Sequence, residues 1–207
     1  MQTYEQIKTI KYSAETKYKE KGSVFLGKVF QVNSADECER ILAGIKKEFY
    51  DATHHCYAYK LINGDLKYSD DGEPNGTAGI RILNAIDHFE LKGVMAVVIR
   101  YFGGVKLGVG PLGKAYYNSA YQTLESTEII LKKPYKKISI AVDFQLLSSV
   151  HRILSNHKAI ITNTSYDTKA NFIFLVVYDE LDAIIHELTD LSKGEIIFSQ
   201  TAELEYL

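Results

Sequence analysis

The stretch Gly93 to Gly113, GVMAVVIRYFGGVKLGVGPLG, decides how the chain is read. Val94 to Ile99 is a nearly unbroken apolar run, which predicts a central strand buried on both faces. A cation follows at Arg100, then the aromatics Tyr101 and Phe102, then five closely spaced glycines. From Pro111 the pattern turns helical, with Leu112, Ala115, Tyr116, Ala120 and Leu124 on one face. Strand, glycine loop and helix in that order bring unpaired amides and the positive end of a helix dipole to the strand's exit. That is a physical basis for holding an anion.

On the N-terminal side, residues 1–21 are charged and weakly patterned, with a short edge strand expected around Ile7 to Tyr12. Gly22 to Val32 reads as a strand. Ser34 with Glu37 three residues later forms a capping-box pattern, opening a helix whose stripe is Cys38, Ile41, Leu42, Ile45 and Phe49. Cys56 to Ile62 reads as a strand, and Asn63-Gly64 predicts a type I′ hairpin returning through Leu66 to Tyr68. The loop Ser69 to Gly79 leads into a helix carrying Ile80, Leu83, Ile86 and Phe89, with Thr77 expected as its cap.

On the C-terminal side, Lys132-Lys133-Pro134 predicts a boundary, because proline ends a helix and the charge balance changes there. Residues 1–133 carry a balance of +2 and residues 134–207 one of −4, within a formal net charge of −2. Beyond the boundary, strands are expected around 136–143, 159–166, 171–178 and 195–206, and helices near 145–156 and 180–192. The order βαββαβ is the split-βαβ, ferredoxin-like arrangement. The fold class is therefore α+β in two domains, 1–132 and 135–207.

Composition narrows the function classes. A chain with 46% hydrophobic and 24% charged residues is ordinary for a globular protein, and its near-neutral charge excludes a general polyanion binder. Two cysteines without zinc-ligand spacing, a polar N-terminus and no long apolar run predict a cytoplasmic protein that does not engage a membrane.

Several chemical readings can be weighed. Gly108-Val109-Gly110-Pro111-Leu112-Gly113 matches GxGxxG, but about six residues separate it from the strand, where a dinucleotide fold needs it at once. No GK[ST] follows for a Walker loop. His54, His55 and Cys56 with Asp70, Asp71 and Glu73 resemble a metal or acid–base cluster. Adjacent histidines on a strand point to opposite faces, however, and the acids sit in turn chemistry, so neither metal nor cofactor is expected. Ser69 and Cys56 lack the context of a nucleophile. Arg100 can serve an anion or pair with Asp71 or Glu73. Lys106 and Lys114 can be ligand contacts or solvated surface. Tyr101-Phe102 beside cations suits base stacking, whereas Tyr57, Tyr59, Tyr116 and Tyr121 read more simply as packing residues.

Two long segments resemble the signatures of the IMPACT family, also called the YigZ family: Asp70 to Gly79, DDGEPNGTAG, and Arg100 to Gly108, RYFGGVKLG. His54 to Tyr59 is similar to a third motif. The resemblance covers essentially the whole chain in its bacterial two-domain form. It implies an N-terminal strand–helix–hairpin–helix–strand–helix domain like the second domain of a small-subunit ribosomal protein. It also implies a C-terminal domain like the last domain of elongation factor G. Eukaryotic relatives regulate translation initiation through a ribosome-associated activator of an initiation-factor kinase, and bacterial ones are proposed to bind nucleic acid or ribosomes. Asn75 stands where Ser is commoner, His55 for Asn, Pro111 for Gly and Lys114 for Arg. The last of these removes a guanidinium from any bidentate phosphate contact.

The combined expectation is a translation-associated factor with RNA, the ribosome or a translation-linked protein as partner. Arg100, Lys106 and Lys114 would neutralise phosphate, Gly103, Gly104, Gly108 and Gly110 would admit the ligand, and Tyr101 or Phe102 would stack. His54, Asp70, Asp71, Glu73, Gly76 and Thr77 would shape the groove. Two alternatives remain: an enzyme for a small phosphorylated or anionic metabolite, marked by a discrete pocket with a perturbed acid near Arg100, and a pure protein-interaction module.

Overall fold

The computed structural model describes residues 5–207, so the first four residues of the expected 1–132 domain lie outside the described part. The chain divides into two compact units, one holding residues 7–131 and the other containing residues 132–207. The first unit runs β1 (Ile7–Ile10), β2 (Ala14–Glu20), β3 (Ser23–Gln31), α1 (Ala35–Glu48), β4 (His54–Lys60), β5 (Leu66–Ser69), α2 (Gly79–His88), β6 (Val94–Tyr101), α3 (Val109–Glu125) and β7 (Ile129–Lys132). A five-stranded sheet has the order β2-β3-β6-β4-β5, and β1 pairs with β7 in a separate ribbon. All neighbours in the five-stranded sheet are antiparallel.

The apolar run at 94–99 does place β6 in the middle. Its even positions, Ala96 and Val98, join Phe25, Val29, Cys56 and Ala58 under α2 and α3. Its odd positions, Met95, Val97 and Ile99, join Cys38, Ile45, Tyr59 and Leu61 under α1. A strand with helices on both faces has no wet side, which is why alternation is missing from its sequence. Tyr116 is fully buried in the first of these cores, edge-on to Phe25 at 5.2 Å.

Three local expectations need correction. The hairpin after β4 exists, but Gly64 alone of the Asn63-Gly64 pair has positive φ, and Leu61 N–H donates to the Asp65 carbonyl across a wider turn. A type I′ turn needs positive φ at both residues, so it is excluded. Thr77 does not cap α2, because its hydroxyl donates to the Pro74 carbonyl at 2.6 Å. The Asp70 carboxylate caps that helix instead. Finally, α3 begins at Val109 rather than Pro111, with Gly108 at its N-cap.

The second unit runs β8 (Pro134–Val142), α4 (Leu147–Asn156), β9 (Ile160–Tyr166), β10 (Ala170–Val177), α5 (Leu181–Leu191) and β11 (Phe198–Tyr206). Its sheet order, β11-β8-β10-β9, is antiparallel throughout and is that of a split βαβ unit. Ile138, Ile140, Phe172, Phe174 and Val176 pack beneath Val150, Leu154, Ile184 and Leu188 of the two helices.

Candidate functional site

The loop between β5 and α2 is built on Asp70. Its Oδ1 accepts the amides of Ala78 and Gly79 at 2.9 and 2.8 Å, and its Oδ2 that of Gly76 at 2.9 Å. A carboxylate at a helix N-terminus satisfies amides that have no partner within the helix and faces the positive dipole end. Burial works against its ionisation, and those three amides outweigh it, holding the carboxyl below its ordinary range. Gly79 must lack a side chain, since a Cβ there would lie 2.7 Å from the Ser69 backbone nitrogen.

Asp71 turns the other way. It takes a positive φ of 42°, accepts the His55 amide at 2.7 Å and pairs with Lys46 at 2.8 Å. Burial opposes its ionisation too, and Lys46 and the His55 amide win. His54 Nδ1 lies 2.8 Å from the Asp71 carbonyl, while His55 Nε2 lies 3.0 Å from that of Phe49. The adjacent histidines thus face opposite sides of β4.

Arg100, expected among the phosphate-facing cations, is 5% exposed. Its Nη1 meets Glu73 Oε1 at 2.5 Å, and its Nη2 reaches the Ser23 hydroxyl at 3.3 Å. Tyr116 donates to the same Glu73 oxygen at 2.8 Å, and His54 Nε2 stands 3.8 Å away. The guanidinium carbon lies over the rings of Phe25 and Phe102, at 5.4 and 5.5 Å from their centroids. Burial pushes both the Cys56 thiol and the Tyr116 phenol far up, so neither ionises near neutrality. In this structure Arg100 is thus buried and ion-paired within the first unit, while Phe102 beside it is 46% exposed.

The residues of the glycine loop meet different surroundings. Gly103 is required by another backbone: its Cβ would come 1.9 Å from the Gly22 carbonyl carbon. Tyr101 is half-buried, donating to Asp51 at 2.9 Å. Gly104 and Gly108 take positive φ in open space, and Gly110 is open as well. Helix α3 starts without a side-chain cap and without an acid in its first turn. Its first amides and its dipole therefore face outward uncompensated.

Two concavities flank this helix start, sharing Gly110 and Lys114. One, of about 350 Å³, is lined by Tyr18, Glu20, Gly110, Pro111, Lys114, Ala115 and Asn118. The other, of about 400 Å³, is lined by Arg81, Asn84, Gly110, Gly113, Lys114 and Tyr117 and has no carboxylate. Lys106, Lys114 and Arg81 are exposed and make no ion pair among the described residues. Arg81 and Tyr117 escaped the sequence reading because both sit on helices read only for their buried stripes. The available signal was Gly113, a glycine inside a helix, which marks a close neighbour. That neighbour is Arg81, whose Nε would lie 3.3 Å from a Cβ at 113.

Fold and site define a two-unit α+β protein whose first unit presents a glycine loop and an uncapped helix start, and whose second is a split βαβ sheet. Residues 21–124 match the Impact N-terminal domain, and residues 140–195 match a domain of unknown function, DUF1949. The chain is 31% identical to the IMPACT family member YvyE of Bacillus subtilis over 96% of this chain and 92% of that one. It is 28% identical to the IMPACT family member YigZ of Escherichia coli, over 85% and 88%. Protein IMPACT of Rattus norvegicus matches at 34% over 42% of this chain and 29% of its own. A solved structure described only as that of a hypothetical protein superimposes with a TM-score of 0.72, at 25% identity, over 97% of this chain and 100% of that one. The chain belongs to the IMPACT family.

Proposed function

We propose that this protein is a cytosolic, translation-associated factor that engages RNA at the start of α3. The observation that carries this reading is the meeting of two concavities at Gly110 and Lys114, beneath an uncapped helix N-terminus. Phosphate would be met by outward-facing amides and by Lys114 and Lys106, with Arg81 across the groove. Arg100, paired with Glu73, would hold the 70–79 loop against β6 in this reading and leave phosphate to the exposed cations. Asp70 and Asp71 are held ionised by their hydrogen-bond partners, and the two concavities lie beside Lys114 rather than Arg100, which supports placing the ligand at the start of α3. Family membership supports the regulatory setting, and the free cations support the phosphate partner.

The test is cosedimentation with ribosomes and with free ribosomal RNA across a salt series, comparing wild type with Lys106→Ala/Lys114→Ala. Binding should fall steeply with salt, and the variant's log–log slope should be shallower by about 1.4, from about 0.7 per lost phosphate contact. Absence of binding at low salt, or binding indifferent to salt, would overturn the reading.

A further inference from the structure

We propose that the paired outer faces of α2 and α3 form a stacking track for single-stranded RNA, with Arg81 and Lys114 holding phosphates and Tyr117, Tyr121 and His88 receiving bases. This rests on the RNA reading above, shares its cations Arg81 and Lys114, and adds Tyr117, Tyr121 and His88, which that reading does not use.

The two helices place these side chains in register. Arg81, Asn84 and His88 recur at helical spacing on α2, as do Gly110, Lys114, Tyr117 and Tyr121 on α3, so each set shares one face. The helices run in the same direction: Arg81 lies against Gly113 near their starts. Near the other end the Tyr117 hydroxyl lies 3.3 Å from His88 Nδ1. Beyond the carboxylate-free concavity the rings form a continuous cluster. Tyr117 and Tyr121 centroids are 5.9 Å apart with planes 30° apart, and Tyr121 lies 5.0 Å from Phe89 and 5.1 Å from His88. His88 is exposed, and Tyr117 and Tyr121 are half-buried, so packing anchors their rings while part of each stays accessible.

Charge complementarity selects the occupant. At the helix starts Arg81 and Lys114, which make no ion pair among the described residues, flank the concavity without acids. Glu20 lines the concavity on the other side of Lys114, and the acid Asp87 of α2 is already bound by Lys60 at 2.5 Å. At the far end Glu125 faces Tyr121 and pushes its phenol up, which makes that end unfavourable for phosphate. A polyanion with accessible bases matches this gradient from cation to aromatic. From Arg81 to His88 the rise is about 10 Å, room for about two to three stacked nucleotides. A duplex hides its base faces and cannot use the rings, whereas a single strand can.

The experiment is fluorescence anisotropy with labelled oligouridylate, oligoadenylate and a duplex of equal length, each over a salt series. Tyr117→Leu/Tyr121→Leu should weaken single-strand binding about tenfold or more at every salt concentration with its slope unchanged. Arg81→Gln/Lys114→Gln should instead lower the slope by about 1.4. Photocrosslinking of thiouridine-containing RNA to the wild-type protein should map to residues 114–121, a readout that needs no variant to fold. If the strand binds and Lys106→Ala/Lys114→Ala weakens it while the tyrosine variant does not, or if crosslinks fall elsewhere, the track is wrong and the phosphate reading stands. Equal affinity for duplex and single strand also overturns the track. No binding of any RNA at low salt overturns both, leaving the aromatic face to a protein partner.

Discussion

Arg100 Nη1 and Glu73 Oε1 meet at 2.5 Å inside the first unit, joining the last turnings of the central strand to a loop 27 residues earlier. Both side chains are almost wholly withdrawn from water, at 6% and 4% exposure. Removing one partner leaves the other as a buried, uncompensated charge, whereas removing both does not. Arg100→Met or Glu73→Met alone should therefore cost about 3–5 kcal/mol, and the double variant should recover much of that. Urea denaturation of the four proteins measures it. Additive losses in the double variant would show that the two charges do not depend on each other.

Two glycines of the same region should respond with opposite sign. A methyl at Gly103 would meet the Gly22 backbone at 1.9 Å, and a backbone cannot step aside as a side-chain end can. Gly103→Ala should destabilise by about 1–3 kcal/mol or more. Gly113 is helical, and its methyl would meet only the flexible Arg81 side chain at 3.3 Å. Gly113→Ala should stabilise by about 0.5–1 kcal/mol through helix propensity. Thermal midpoints moving in the same direction for both would contradict this.

What the sequence makes legible here follows from which forces are local. The run at 94–99 announces β6 because burial on both faces leaves no polar position, and Ser34 announces α1 because its hydroxyl accepts the Glu37 amide at 3.2 Å. Strand β2 is silent: AETKYKE alternates between half-buried and exposed, so no apolar face marks an edge strand held mainly by β3. The cap of α2 is equally hidden. Asp70 lies nine residues before Gly79, and only the folded loop brings its carboxylate to that helix start. Arg100 is legible in sequence as either a ligand cation or the partner of a nearby acid, and its pairing with buried Glu73 becomes visible only in the folded chain.

Asp70 gives the first unit an acid limit. Its folded carboxyl is held below the unfolded value of 3.8, so its contribution is present above that value and is lost as pH falls through the folded one. Asp70→Ala, which leaves three amides without their acceptor, should cost about 2 kcal/mol at neutral pH. Asp70→Asn should cost less, and its deficit should shrink as pH falls from about 6 to about 3. Thermal midpoints over that range decide it; a deficit that stays constant would mean the charge has no share.

His157 sets a limit of the opposite sign in the second unit. At the end of α4 its ring is bracketed by carboxylates, Nδ1 at 2.9 Å from Glu180 and Nε2 at 3.1 Å from Glu187. Burial disfavours the imidazolium, but the hydrogen bonds to Glu180 and Glu187 outweigh it and raise the pKa above 6.5. A raised folded pKa means the stabilisation is complete below 6.5 and disappears as pH rises through the folded value. The wild-type thermal midpoint should therefore drop relative to His157→Gln by an amount on the order of a few degrees between about pH 6 and pH 8.5. Because the two glutamates are half exposed, added salt should reduce the difference at pH 6. Parallel profiles for the two proteins would show that the imidazole is neutral in the folded chain, where either tautomer can donate to only one of the two glutamates.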